Sequence, residues 1–457
     1  MVKKIVIRVL IGVILLLAIF IIWMVKSIFP VISGYGAKNV CSDIYLQHRN
    51  ARDVIKEDVA DFPISMATYT INAADSSVTG SVWGMARQKA IYRTGAGATL
   101  INGFTEKEVR SQLFSLPKPP PLDQDTIPWP YGNKLTGNVP AEIDLSRLNA
   151  AVQAAFSDTY HGKPVYTRAL LVVCDGELVA ERYADGFDRN TMQLGWSVAK
   201  SFMGALTGIL VKQGKLDPDR SAPVAEWVGT NKSRITLKEL LQQTTGLDYA
   251  EMYARPSEAT TMLFRTGDMA AYAAGLPLKY EPGTVWNYSG GNSNILSRII
   301  RQTTGEQEYR SFPYSSLFYK IGMFHTILEP DASGTYVGSS YCYATARDFA
   351  RFGLLYYNNG KFNNEQILPE QWVYESTRSS PADKLNHYGY QFWLNGWSKA
   401  NGAKRQYPDV PADMFYADGY NGQDIYIIPS RRMVVVRLGL HVMDENKMLR
   451  EIIGSIK

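Results

Sequence analysis

The stretch Trp196-Ser197-Val198-Ala199-Lys200 opens a helical pattern that runs to about Gly214. After the serine, Val198, Phe202, Ala205, Leu206, Ile209 and Leu210 recur at three- and four-residue steps. That period marks one helix face turned to a core, and Gly214 is a natural stop. Residues i and i+3 share a helical face, so Ser197 and Lys200 are neighbours at the helix N-terminus. There, unpaired backbone N–H groups and the macrodipole favour developing negative charge. A serine hydroxyl is a weak nucleophile until a base takes its proton. A lysine held in a desolvated position can lose its own proton and act as that base. The arrangement supports acyl transfer. The same spacing occurs at Ser115-Leu-Pro-Lys118, but Pro117, Pro119, Pro120 and Pro121 leave no helix to align that pair.

Composition narrows the field. The 457 residues are 46% hydrophobic and 20% charged, ordinary globular material with room for two or three domains. A net charge of +5 with no basic tract makes nucleic acid an unexpected partner. Cys41, Cys174 and Cys342 lie far apart and support neither a zinc site nor a disulfide framework. The histidines form no His-x-x-x-His pair, so no metal is expected, and the chemistry requires no cofactor.

At the N-terminus, Lys3, Lys4 and Arg8 precede an uncharged apolar run from Val9 to Val25 that ends at Lys26. The run is at the short edge of a membrane-spanning helix and longer than a usual signal-peptide core. Trp23 suits an interface, and the positive-inside rule keeps the N-terminus cytoplasmic. Ser33, Gly34, Gly36 and Ala37 form only a weak cleavage pattern. The expectation is an uncleaved signal anchor over residues 1–29, single-pass in the cell membrane. The catalytic domain then lies on the extracytoplasmic side, periplasmic or extracellular.

Residues 30–139 read as an accessory region: strand-like segments from Ser65 to Tyr92, then a proline-rich linker from Leu116 to Pro130. The main domain is expected at 140–457. A helix over 141–158 precedes an apolar run, Ala169 to Val173, and an alternating run, Glu177 to Tyr183. Asp175-Gly176 between them is a two-residue hairpin signal. Ile235 to Leu241 reads as a helix with Thr236 as cap and Glu239 in the capping-box position. Asn294 to Thr303 is another, stopped by Gly305. Asp424 to Pro429 and Met433 to Leu440 read as a second hairpin through Ser430-Arg431-Arg432, and Asp444 to Lys457 as an amphipathic helix. Strands early, strands late and helices between predict an α+β fold. One antiparallel sheet would be built from both chain ends, with flanking helices and an inserted helical domain, and the site in the cleft between.

Two further stretches add chemistry. Glu281-Pro-Gly-Thr-Val-Trp-Asn-Tyr288-Ser-Gly-Gly-Asn-Ser-Asn294 is a turn-rich loop entering a helix, and Ala417-Asp-Gly-Tyr420-Asn-Gly-Gln423 precedes the last hairpin. With Ser197-x-x-Lys200 and Leu240-Leu-Gln-Gln-Thr-Thr-Gly-Leu247, this ordered set resembles the penicillin-binding-protein/class C β-lactamase-like serine hydrolases over about residues 140–450. Within them, Gly246 to Tyr253 and Asp268 to Gly275 look most like the 6-aminohexanoate-dimer hydrolase and related esterase branch. The resemblance implies a β-lactamase/transpeptidase-like fold with Ser197 as acylated nucleophile, Lys200 as its base and Tyr288 as proton relay. It implies an oxyanion hole from the backbone N–H groups of Ser197 and Gln423. Tyr420, Asn421, Gly422 and Asn292 are the implied substrate-binding residues.

The departures shape the expected substrate. Tyr288-Ser289-Gly290 replaces Tyr-x-Asn, leaving Asn292 as the nearby amide. Tyr420-Asn421-Gly422 replaces Lys-Thr-Gly, removing the cation that would pair with a β-lactam carboxylate. A small ester or amide is therefore expected, cleaved by an esterase or amidase rather than an efficient β-lactamase. The competing readings are a cell-wall DD-peptidase-like enzyme and a non-catalytic, membrane-tethered binding protein on the same fold. An α/β-hydrolase elbow at Gly195 to Ala199, with His441 completing a triad, would require a parallel sheet.

Overall fold

The computed structural model describes residues 2–402 and 404–457. They form two compact units: residues 1–112 with 250–269 and 330–334, and residues 113–249 with 270–329 and 335–457. Residues 113–139, grouped by sequence with the accessory region, thus cluster with the larger unit. Residues 250–269 cluster with the smaller one.

The smaller unit begins with helix α1 (Val2–Ser27), followed by α2 (Phe29–Tyr45). The apolar side chains of α1 are exposed, Leu16 at 68% and Ile14 at 62%, and the helix is long and apolar enough to cross a membrane. α2 lies on a four-stranded antiparallel sheet, β1 (Ala67–Asn72), β2 (Ser77–Val82), β3 (Met85–Arg93) and β4 (Gly97–Leu100). The small residues of α2 allow this close approach. A Cβ on Gly36 would fall 2.0 Å from the Tyr69 hydroxyl, and the Ser33 hydroxyl donates to the Ala86 carbonyl. Packing against the sheet thus accounts for the small residues that sequence offered as a weak cleavage pattern.

The larger unit is organised by a six-stranded antiparallel sheet built from both of its ends. In chain order its elements include α3 (Leu145–Ser157), β5 (Thr167–Cys174), β6 (Glu177–Tyr183), α4 (Val198–Lys212), α5 (Gly290–Thr304) and α6 (Ala346–Tyr357). β7 (Trp393–Leu394), β8 (Phe415–Gly419), β9 (Gln423–Ile428), β10 (Met433–Gly439) and α7 (Glu445–Ile453) follow. The strand order is β7-β8-β9-β10-β5-β6. The β5–β6 hairpin turns through Asp175 (φ +52°) and Gly176 (φ +82°), both left-handed, as its two-residue turn requires. α3 and α7 cover one face with Leu148, Val152, Leu449 and Ile452 against Leu170, Val172 and Val435. Each such side chain contributes about 1.5–3 kcal/mol by leaving water. α6 lies on the other face, so close that a Cβ on Gly353 would fall 2.5 Å from Val434. The early and late strands meet at β5 and β10, in register from Cys174 opposite Met433 to Ala169 opposite Leu438.

Helix boundaries follow local chemistry. Thr236 caps Leu237–Leu241 in a capping box with Glu239, as its sequence predicts. α5 begins four residues before the predicted Asn294, because Ser289 caps it by accepting from the Asn292 N–H.

Candidate active site

Ser197 stands at the first turn of α4, with φ −66° and ψ −6°, and makes no cap bond with its side chain. Its hydroxyl is left for Lys200, whose Nζ lies 3.0 Å from Ser197 Oγ. Trp196, just before it, is held at φ +47°, a strained conformation for a bulky residue. The surroundings enforce it. Gly195 N–H donates to the Cys342 carbonyl at 2.8 Å, and a Cβ on Gly195 would fall 2.8 Å from both Cys342 Sγ and the Phe349 ring. Only glycine admits the turn that aims the serine.

Lys200 is 1% exposed, and Nζ also donates to the Ser339 carbonyl at 2.8 Å. Ser339 is held in turn by Asn294 of α5, whose Oδ1 accepts its N–H at 3.1 Å. Tyr288 completes the cluster, with Lys200 Nζ 4.9 Å from its ring centroid. Trp393 and Tyr388 pack on Tyr288 at 5.0 and 5.6 Å between ring centroids. Ser197 and Lys200, picked out by spacing, and Tyr288, implied by the resemblance, therefore converge.

Not every expected residue does. Asn292, predicted to meet substrate, is 1% exposed and spends its amide inside the protein. Nδ2 donates to Gln243 Oε1 at 2.8 Å and Oδ1 accepts from the Thr245 hydroxyl at 3.0 Å. Gln243 Oε1 also accepts the Ser289 N–H at 3.2 Å. The leucine-rich helix and the turn after it thus brace the Tyr288 loop.

Gln423 is likewise misplaced for an oxyanion donor. Gly422 C=O, in the same peptide unit, accepts from Arg437 of β10 at 2.7 Å. The opposed Gln423 N–H therefore turns toward β8, where Gln423 pairs with Gly419 inside the sheet. Its side chain is tied to Gly439, whose N–H it accepts at 3.2 Å. Tyr420 is the better placed amide. The Gly419 carbonyl accepts the Gly422 N–H at 3.1 Å, so the Tyr420 N–H of that same peptide points out of the hairpin. β7, the neighbour on that side, pairs with β8 no further than Tyr416. Gly419 also lies against the nucleophile turn: a Cβ there would fall 2.1 Å from the Gly195 carbonyl oxygen. The Tyr420 ring meets Trp196 edge-on at 5.8 Å. Asn421 (φ +64°) and Gly422 (φ +80°) form the left-handed part of the turn.

Beneath this strand end, Asp418 and Asp424 face each other across β8 and β9, and Arg437 lies opposite Asp424. Glu445 of α7, hydrogen-bonded by Tyr407, completes the group. Burial, and then the Glu445 charge, push Asp418 up to about 7, and the same causes with Asp418 added raise Asp424 well above the carboxylate range. The His441 ring lies tilted by 52° against that of Tyr166, with 5.3 Å between centroids, and the sheet pairings around it are antiparallel, unlike an α/β-hydrolase.

The family described as Beta-lactamase matches residues 147–439. A 6-aminohexanoate-dimer hydrolase of Paenarthrobacter ureafaciens is 25% identical over 60% of this chain and 72% of its own. A Bacillus anthracis structure assigned as a 6-aminohexanoate-dimer hydrolase is 25% identical, covering 64% of this chain and 78% of its own, with a TM-score of 0.53. A family VIII carboxylesterase, 16% identical, shares the fold with a TM-score of 0.54 over 71% of this chain and 99% of its own.

Proposed function

The chain belongs to the β-lactamase family of hydrolases, and on that premise we propose that it cleaves a small ester or amide through an acyl-serine intermediate. The observation that carries this reading is the buried Lys200 Nζ, 3.0 Å from Ser197 Oγ at a helix start. Ser197 Oγ attacks the acyl carbonyl as Lys200 takes its proton. The oxyanion is held by the N–H groups of Ser197 and Tyr420. Collapse of the tetrahedral adduct expels the alcohol or amine, protonated through Tyr288 beside Lys200. Water, deprotonated by the same pair, then releases the acid and restores Ser197.

The substrate reading rests on charge. Ala417 to Gln423 contributes no lysine or arginine side chain, and the nearby Arg437 is 0% exposed. A substrate carboxylate would meet no free cation at this strand end. Trp196 and the 48%-exposed Tyr420 offer aromatic surface instead. A neutral ester or amide fits. Efficient β-lactam hydrolysis does not; nitrocefin turnover as fast as that of a dedicated β-lactamase would refute this. In this reading α1 anchors the chain, with Lys3, Lys4 and Arg8 on the cytoplasmic side and the hydrolase unit outside.

The test uses the full chain in detergent with p-nitrophenyl acetate, following product release and intact mass. An acetyl adduct and turnover that vanish in Ser197→Ala support the acyl-serine route. Equal rates in both proteins would bring forward the non-catalytic binding reading.

A further inference from the structure

A buried guanidinium reaches the catalytic strand end through two peptide groups. Arg437 Nη1 donates to the Asn421 carbonyl at 3.1 Å and to the Gly422 carbonyl at 2.7 Å. Nη2 donates to the carbonyls of Val165 and His441 at 2.9 and 2.8 Å, so the group is clamped on both sides. The Asn421 carbonyl is one end of a peptide whose other end is the Gly422 N–H. That N–H donates to the Gly419 carbonyl at 3.1 Å. The Gly419 carbonyl is in turn one end of the peptide whose other end is the Tyr420 N–H.

We propose that Arg437 is a positioning residue for the oxyanion hole, acting through this chain of amides on the Tyr420 N–H. Planarity of each trans peptide transmits direction: fixing a carbonyl fixes the opposed N–H. Hydrogen bonds in series also polarise one another, so a full positive charge at one end strengthens the donor at the other. Gly422 is part of the device. At φ +80° it closes the turn, and any Cβ would fall 2.2 Å from Arg437 Nη1. The Arg437 charge also faces Asp424 across the sheet, and its bonds to the Asn421 and Gly422 carbonyls are what tie it to the strand end. The inference rests on the acyl-serine reading and on Tyr420 as oxyanion donor.

The experiment compares wild type, Arg437→Gln, Arg437→Lys and Gly422→Ala as full chains in detergent. It measures kcat and KM for p-nitrophenyl acetate and inhibition by phenylboronic acid, whose serine adduct places an anionic oxygen in the hole. Arg437→Gln should lower kcat about ten- to a hundredfold with KM within about twofold, less than loss of a direct donor. Boronate affinity should fall by the same factor. Gly422→Ala should show the same signature, and Arg437→Lys should recover part of the loss. A folded Arg437→Gln with wild-type kcat and boronate affinity would overturn the proposal. If that variant does not fold, Gly422→Ala decides by the same two readouts. Ser197→Ala separates the two failures. Turnover surviving in it sinks the acyl-serine reading and this inference together. Ser197-dependent turnover with normal Arg437→Gln kinetics sinks this inference alone.

Discussion

Ser115-Leu-Pro-Lys118 and Ser197-Val-Ala-Lys200 have the same residue types at the same spacing, and the structure treats them oppositely. The first is irregular and proline-bound, with Ser115 and Lys118 both exposed. In the second, a helix start brings Nζ to 3.0 Å from Oγ, and Lys200 is buried against the Ser339 carbonyl. Spacing specifies a contact only when the backbone between is helical. The contact becomes chemistry only when burial removes the water that would otherwise solvate the amine.

The contrast can be broken in several ways, taken from the largest effect. Ser197→Ala should lower p-nitrophenyl acetate turnover about ten-thousandfold, as loss of a nucleophile does, while Ser115→Ala leaves it unchanged. A comparable loss in both would end the distinction. Lys200→Ala should cost about a thousandfold in kcat, in the range of a lost general base. Lys118→Ala should cost nothing measurable in the same steady-state assay. Tyr288→Phe removes only a hydroxyl and should slow leaving-group release about a hundredfold. The loss should be greater for an anilide than for a nitrophenyl ester, because the amine needs the proton.

Smaller effects test the frame around the second pair. Gly195→Ala must displace Cys342 or Phe349 and should destabilise the larger unit by about 1–3 kcal/mol, the usual cost of overpacking. Thermal unfolding would show it, and an unchanged midpoint would mean the turn is looser than the contacts imply. The smallest effect concerns Asp418, raised from its ordinary 3.8 to about 7. A carboxyl raised in this way holds its proton more tightly when folded. Its stabilisation is full below about pH 4 and is lost as pH rises through about 7. The unfolding midpoint should therefore decline between pH 5 and pH 8, roughly the upper part of that window, and decline less in Asp418→Asn. Equal slopes in the two proteins would remove Asp418 as the source.

Much of this was legible from the chain. The α4 start, the Asp175-Gly176 turn, the Thr236 capping box and the sheet assembled from early and late strands all follow from periodicity and turn chemistry. These are properties of a few consecutive residues. Ser197, Lys200 and Tyr288 were legible because each sits in a stretch with its own signature. Ser339 and Arg437 carried none, and Gln243 lay in a quoted stretch without any role of its own being legible. Ser339 serves Lys200 through a backbone carbonyl, which any residue type supplies, and Arg437 is one arginine in an apolar strand. Asn292 looked available because its partners Gln243 and Thr245 lie almost fifty residues away.

By itself, then, the sequence determined many of the larger unit's helices and strands, the Asp175-Gly176 turn and which serine has a lysine one helical turn away, but not the helices Phe29–Tyr45 and Ala346–Tyr357. The physical reason is that backbone preference and side-chain period act over a few residues. Only the tertiary structure decided that the Gln423 N–H turns into the sheet while the Tyr420 N–H points out of the hairpin. It also decided that residues 250–269 cluster with the N-terminal unit. Both depend on strand register and on contacts between distant residues, and neither leaves a mark on the local pattern.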